Sequence, residues 1–148
     1  MKGTDLLKAD HDRVKGLFRQ CQQTTDPAQR RRIAEQAFTE LEVHTKLEEE
    51  VFYPAFRSVA DVEGQALVAE SFEDHHEMED LVQKLRAMDP SSPQYASVLQ
   101  DLQRAVEEHI SVEEGEMFPE AEARFGPQLE QLGAEMQRRK QELTGRAA

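Results

Sequence analysis

Two strings of the chain carry the residue types of a metal site. His44-x3-Glu48-Glu49-x4-Pro54 recurs 65 residues later as His109-x3-Glu113-Glu114-x4-Pro119. A second echo lies 64 residues apart: Asp10-His11-x2-Val14-x2-Leu17 against Asp74-His75-x2-Met78-x2-Leu81. A His and a Glu four positions apart sit on one helix face, one turn from each other. On any single helix, the blander account is a hydrogen-bonded core His or a surface His–Glu pair. The joint pattern demands more, because buried carboxylates are costly unless something neutralises them. His11, His44, Glu48, His75, His109 and Glu113 together are a donor set suited to iron, manganese or zinc. Six protein ligands would close one octahedron and leave no open position. Two metals fit better, with Glu48 and Glu113 able to bridge them and the His residues in terminal positions.

The elements that must present these residues are helices. Gly and Pro fall mostly at the ends of periodic segments, which favours helices over strands. The first segment runs from about Thr4 to Thr24, capped by Thr4 or Asp5, with Leu7, His11, Val14, Phe18 and Cys21 on one face. Asp26-Pro27 then reads as a cap and first helical residue. The second segment runs to about Phe56 with Ile33, Ala37, Leu41, His44, Glu48, Val51 or Phe52, and Ala55 inward. Pro54 predicts a kink or tightened turn near its end. The third, about Asp61 to Met88, aligns Leu67, Ser71, His75, Met78, Val82 and Leu85. After the break Asp89-Pro90-Ser91-Ser92-Pro93, the fourth aligns Val98, Leu102, Val106, His109, Glu113 and Met117. Pro119 interrupts this pattern and Phe125-Gly126-Pro127 ends it.

These spacings predict an all-α fold: an antiparallel up-down-up-down four-helix bundle over residues 1–126. Residues 127–148, with Leu129, Leu132, Met136 and Leu143, form a short C-terminal amphipathic helix of the same domain or a dimer contact, ending in a frayed tail from Gly145. Depth along the bundle ties the fold to the site. At about 1.5 Å per residue, each His lies about 20–25 Å from the turn that joins it to its neighbour, so all four meet at one level.

The 148 residues fit one domain. A formal charge of −12 argues against a nucleic-acid partner, which needs a basic footprint. One Cys makes no internal disulfide or thiolate zinc site, and Cys21 reads as a small core residue. The longest apolar run, Val51 to Phe56, is far short of a membrane span, and the N-terminal residues lack a secretory stretch. The expectation is a cytoplasmic protein, monomer or homodimer.

The order His11, His44-x3-Glu48, His75, His109-x3-Glu113 resembles the hemerythrin-like HHE cation-binding family. The resemblance extends to Asp10-His11-Asp12-x-Val14-Lys15-x-Leu17-Phe18, Glu48-Glu49-x-Val51-Phe52-Tyr53-Pro54 and Glu113-Glu114-x-Glu116-Met117-Phe118-Pro119. It covers about Asp5 to Phe125. It implies two non-haem iron ions, oxo- or hydroxo-bridged, rather than manganese or zinc. Glu48 and Glu113 would bridge, the four His would be terminal ligands, and an open position would take dioxygen, peroxide or nitric oxide. Oxygen-carrying hemerythrins have a further ligand His one turn after the third, where this chain has Glu79. Glu79 is a candidate extra ligand or a solvated acid. As a ligand it would favour redox turnover over reversible oxygen binding. His76, adjacent to His75 but about 100° around the helix, is a competing ligand. Glu49 and Glu114 read as flank residues, with orientation of a His ring the alternative. Tyr53 reads as packing, with a redox role the alternative.

Three functions follow as expectations. The first is a diiron protein reacting with peroxide, dioxygen or nitric oxide in oxidative or nitrosative stress, either as an enzyme of catalase-like or peroxidase-like activity or as a sensor. The second is a non-catalytic oxygen or iron binding or storage protein. The third is a structural bundle with a polar core, binding zinc.

Overall fold

The computed structural model describes residues 1–145. Helix α1 (Gly3–Gln23) and α2 (Pro27–Leu47) form a first hairpin. The second helix continues through a π-helical turn, Glu48–Phe52, into α3 (Tyr53–Val59). A second hairpin pairs α4 (Val62–Arg86) with α5 (Pro93–Val112), which continues through a matching π-turn, Glu113–Met117, into α6 (Phe118–Phe125). The pairing of α1 with α2 and α5, and of α4 with α5 and α3, gives an antiparallel four-helix bundle. Helix α7 (Gln128–Thr144) runs for 17 residues along α1 and also touches α2, α6 and the first π-turn. The expected frayed tail lies, beyond Gly145, outside the described residues.

Local chemistry sets the helix ends. Asp26 accepts a hydrogen bond from the Gln29 N–H at 3.2 Å, with Pro27 opening α2. Asp61 accepts from the Gly64 N–H at 2.9 Å, and Ser92 from the Tyr95 N–H at 3.3 Å. These side chains satisfy N–H groups that a helix start leaves unpaired. Helix α6 stops where Gly126 adopts a φ of 55°, which a side chain would disfavour.

Two local expectations are corrected. Neither Thr4 nor Asp5 caps α1; the helix starts at Gly3 after Lys2, with no side-chain cap. The Thr4 hydroxyl instead donates to Glu122 at 3.0 Å, because α6 and α7 pack against this end. At Pro54 the turn does not tighten; it widens into a π-turn. The Tyr53 N–H bonds to the Glu48 carbonyl five residues back, and the Phe118 N–H likewise to Glu113. Each Pro then falls in the first turn of the helix that resumes, where no N–H is required.

The core is a polar layer between two apolar ones. One apolar cluster includes Val14, Phe18, Leu41, Met78, Leu102, Val106 and Ile110. The other includes Leu7, Leu47, Phe52, Phe56, Val68, Met117 and Phe118. Asp10, His11, His44, Glu48, His75, His109 and Glu113 are all buried at the level between them. The inward series is as expected on α1 and α5. On the second helix the choice between Val51 and Phe52 falls to Phe52, and on α4 Val68 is buried in place of Leu67.

Candidate metal centre

The four imidazoles meet in two pairs. His11 Nε2 lies 3.2 Å from His44 Nε2, and His75 Nε2 lies 3.2 Å from His109 Nε2. Each ring is turned by a carboxylate at its other nitrogen. His11 Nδ1–H donates to Glu114 at 2.7 Å and His75 Nδ1–H to Glu49 at 2.7 Å. His44 Nδ1–H donates to Asp10 at 3.1 Å and His109 Nδ1–H to Asp74 at 3.0 Å. A carboxylate only accepts, so it fixes the proton on Nδ1 and leaves the Nε2 lone pair facing inward. Two Nε2 atoms this close need a shared cation: a proton carried by one ring of the pair, or a metal ion held between both. Ligands about 2.0–2.1 Å from a common ion, at angles between 90° and tetrahedral, sit about 2.9–3.4 Å apart, and both pairs match that span.

The two glutamates join the pairs. Glu48 lies 3.4 Å from His44 in the first pair and 3.1 Å from His75 in the second. Glu113 lies 3.1 Å from His11 and 3.4 Å from His109. Both are fully buried, and Glu48 Oε2 has no hydrogen-bond partner among the described residues. An unpartnered buried carboxylate oxygen is costly, and a cation would satisfy it. The donor atoms fall into two groups able to hold an ion: His11, His44, Glu48 and Glu113; and Glu48, His75 and His109. The residues present therefore fit metal, in two donor groups that have Glu48 in common.

The π-turns aim the rest of the site. In an unbroken α-helix, residue i+5 lies about 140° around from residue i. The π-turn's i to i+5 bond brings the two to one face. Tyr53 is thereby carried under Glu48, and its hydroxyl enters the cluster. It donates to Glu113 Oε2 at 2.5 Å and lies 3.1 Å from Glu48 Oε1, 3.2 Å from His75 Nε2 and 3.3 Å from His109 Nε2. Its counterpart in the second half, Phe118, has no hydroxyl and stacks on His11 with centroids 5.8 Å apart. The repeated scaffold thus gives an asymmetric site.

Charge follows geometry. Burial opposes a proton on His44, but Glu48 and Asp10 outweigh it and push its pKa up to about 10. Burial likewise opposes a proton on His109, yet Glu113 and Glu48 push it up to about 11. Glu48 is held well below the usual carboxylate range by the imidazoles, against its burial. Burial, then the charges of Glu48 and Glu113, raise the Tyr53 phenol well above its ordinary value. The cluster is built to hold positive charge.

All six primary candidates come together. Glu79 and His76 are exposed and lie outside both donor groups. Glu49 and Glu114 are more than flank residues, since each orients a His ring, and Tyr53 is more than packing. The roles of Asp10 and Asp74 went unread, although both sit beside a His in the repeated string. The Asp-His and Glu-Glu doublets, repeated in both halves, were the available signal.

Beside the imidazoles lies a small cavity of about 10 Å³. All four His line it, with Val14, Leu41, Met78, Val106 and Ile110 among its apolar walls. Its volume is about that of one water-sized sphere.

Fold and site together define a helical-bundle protein with a buried His–carboxylate cluster suited to metal. The sequence matches the Hemerythrin HHE cation binding domain over residues 2–121, and the chain belongs to that family. Among similar proteins, a DNA nickase of Nostoc sp. is 32% identical over 114 residues, which cover 77% of this chain; the match spans only 32% of that protein's length. The uncharacterized protein Rv2633c of Mycobacterium tuberculosis is 26% identical, with 98% of this chain and 89% of that one covered. A crystal structure of a Hemerythrin HHE cation binding domain-containing protein, the Rv2633c homolog from Mycobacterium kansasii, superposes with a TM-score of 0.85 at 24% identity, covering 98% of this chain and 88% of that one. That likeness establishes the fold.

Proposed function

We propose that this protein holds two non-haem iron ions and reacts with hydrogen peroxide, dioxygen or nitric oxide, in defence against or sensing of oxidative and nitrosative stress. The observation that carries the reading is the pair of Nε2 forks, joined through Glu48, which belongs to both donor groups, beside a cavity with room for a very small molecule. His11 and His44 would hold one ion and His75 and His109 the other, with Glu48 and Glu113 between. The bound irons would supply redox electrons to the small molecule.

The protein's own groups do the rest. Asp10, Glu49, Asp74 and Glu114 fix the imidazole tautomers and make the rings better ligands. Val14, Leu41, Met78, Val106 and Ile110 exclude bulk water and any substrate larger than a few atoms. Tyr53 keeps its proton at neutral pH, held toward Glu113, so a proton donor stands beside the metal-binding atoms. No nucleic-acid partner is proposed, because the chain carries a formal charge of −12. No helix among the described residues is long and apolar enough to cross a membrane.

The test is elemental analysis of the purified protein with a visible spectrum before and after adding peroxide. About two irons per chain, with oxygen gas evolved, is the expected result and indicates catalase-like turnover. Two irons without turnover or oxidation would assign the site to oxygen or iron binding and storage. Zinc alone, with no iron uptake on reconstitution, would overturn the redox reading.

A further inference from the structure

We propose that small molecules reach the four-His cavity through the cleft between α2 and α4, and that the Met78 side chain, with Leu41, is its gate. The proposal rests on the cavity being the reactive face of the site. Outside the cavity lies a surface cleft of about 400 Å³. Its walls include Thr45, Lys46 and Glu49 from the second helix and its π-turn, Glu79 and Val82 from α4, and Leu143 from α7. Leu41, Thr45, His75 and Met78 line both spaces, so one layer of side chains separates them.

The surface grooves beside α1 share no residue with the cavity. One, toward α2, is lined by residues such as Asp12, Arg31 and Arg32; the other, toward α7, by Leu6, Asp10 and Lys140. The acidic cleft of Asp61, Glu70 and Glu120 shares none either. The seam is pinned at both ends. Arg86 of α4 binds Glu35 at 2.8 Å and Glu42 at 2.9 Å on α2, and Glu49 holds His75 at 2.7 Å. Side chains between the pins can therefore move without parting the helices. Met78 suits a gate, because its unbranched thioether has more rotatable bonds than the β-branched residues opposite, Val14, Val106 and Ile110.

The test separates the gate from the metal. In metal-free protein, Val106→Cys puts a thiol on the wall opposite the cleft, and the rate of its modification by methyl methanethiosulfonate reports access. Cys21 stays silent, being buried with its thiol pushed up to about 11 by that burial. Adding Met78→Ala should speed modification about tenfold, while adding Ile110→Ala, which enlarges the cavity without breaching the shared wall, should change it less than about twofold. In iron-loaded protein, the azide association rate should rise in Met78→Ala and fall in Lys46→Trp, an exposed substitution at the cleft that leaves the core untouched. Equal acceleration by Met78→Ala and Ile110→Ala, or an azide rate unmoved by Lys46→Trp, overturns the route. Failure to take up iron overturns the functional reading alone, since the thiol rates still decide the gate.

Discussion

At the scale of residues, the site is four copies of one device: a ring nitrogen aimed inward by a carboxylate behind it. Removing one of those carboxylates leaves the ligand in place but unaimed. Glu114→Ala should therefore weaken metal affinity about 10–100-fold with the helical content unchanged, as read by metal titration and circular dichroism. The raised pKa values of His44 and His109 give a second prediction. In the metal-free protein these rings keep a proton that the unfolded chain releases near 6.5, and give it up only near 10 and 11. The stabilisation is full below about pH 6.5 and is lost as pH rises through the folded values. The melting temperature of metal-free protein should fall between about pH 7 and pH 10, while metal affinity, which requires loss of the same protons, should rise over that window. A metal-free melting curve that climbs across this range would contradict the assignment.

At the scale of elements, α7 does more than cover the bundle. Its Lys140 ammonium bonds Asp10 Oδ1 at 2.7 Å, and Asp10 Oδ2 holds His44. Asp10 is the most buried of the four orienting carboxylates, and this ion pair neutralises it. Lys140→Met keeps the packing of the stem but leaves Asp10 Oδ1 without its cation, so it should weaken metal binding at the His11–His44 group more than at the other, resolved by a two-site titration, with recovery in Lys140→Arg. The contact of α7 with the start of α1 depends on Gly133. A Cβ there would meet the Met1 carbonyl oxygen at 2.0 Å and the Gly3 nitrogen at 3.0 Å. Gly133→Ala should cost about 1–3 kcal/mol by overpacking, a fall of roughly 3–10 °C in melting temperature by calorimetry.

At the scale of the whole molecule, a polar layer crosses the core, so a metal bound there would stabilise the fold. Chelation should lower the melting temperature by roughly 5–10 °C, the effect of losing a ligand present at about a hundred times its Kd. Much of this architecture was legible beforehand. Helix periodicity fixes which residues share a face, and the rise per residue fixes depth, so the levels of His11, His44, His75 and His109 could be computed from the sequence. The cap at Asp26 and the stop at Gly126 follow from local chemistry in the same way. The sequence by itself therefore determined the bundle and its six convergent donors. Only the tertiary structure decided that Glu114 reaches His11 across 103 residues, that Lys140 backs Asp10 across 130, and that the π-turns swing Tyr53 into the cluster. Those outcomes depend on how each helix is rotated against its neighbours to within a fraction of a turn. That rotation is set by packing between distant segments, which the local spacing of side chains does not encode.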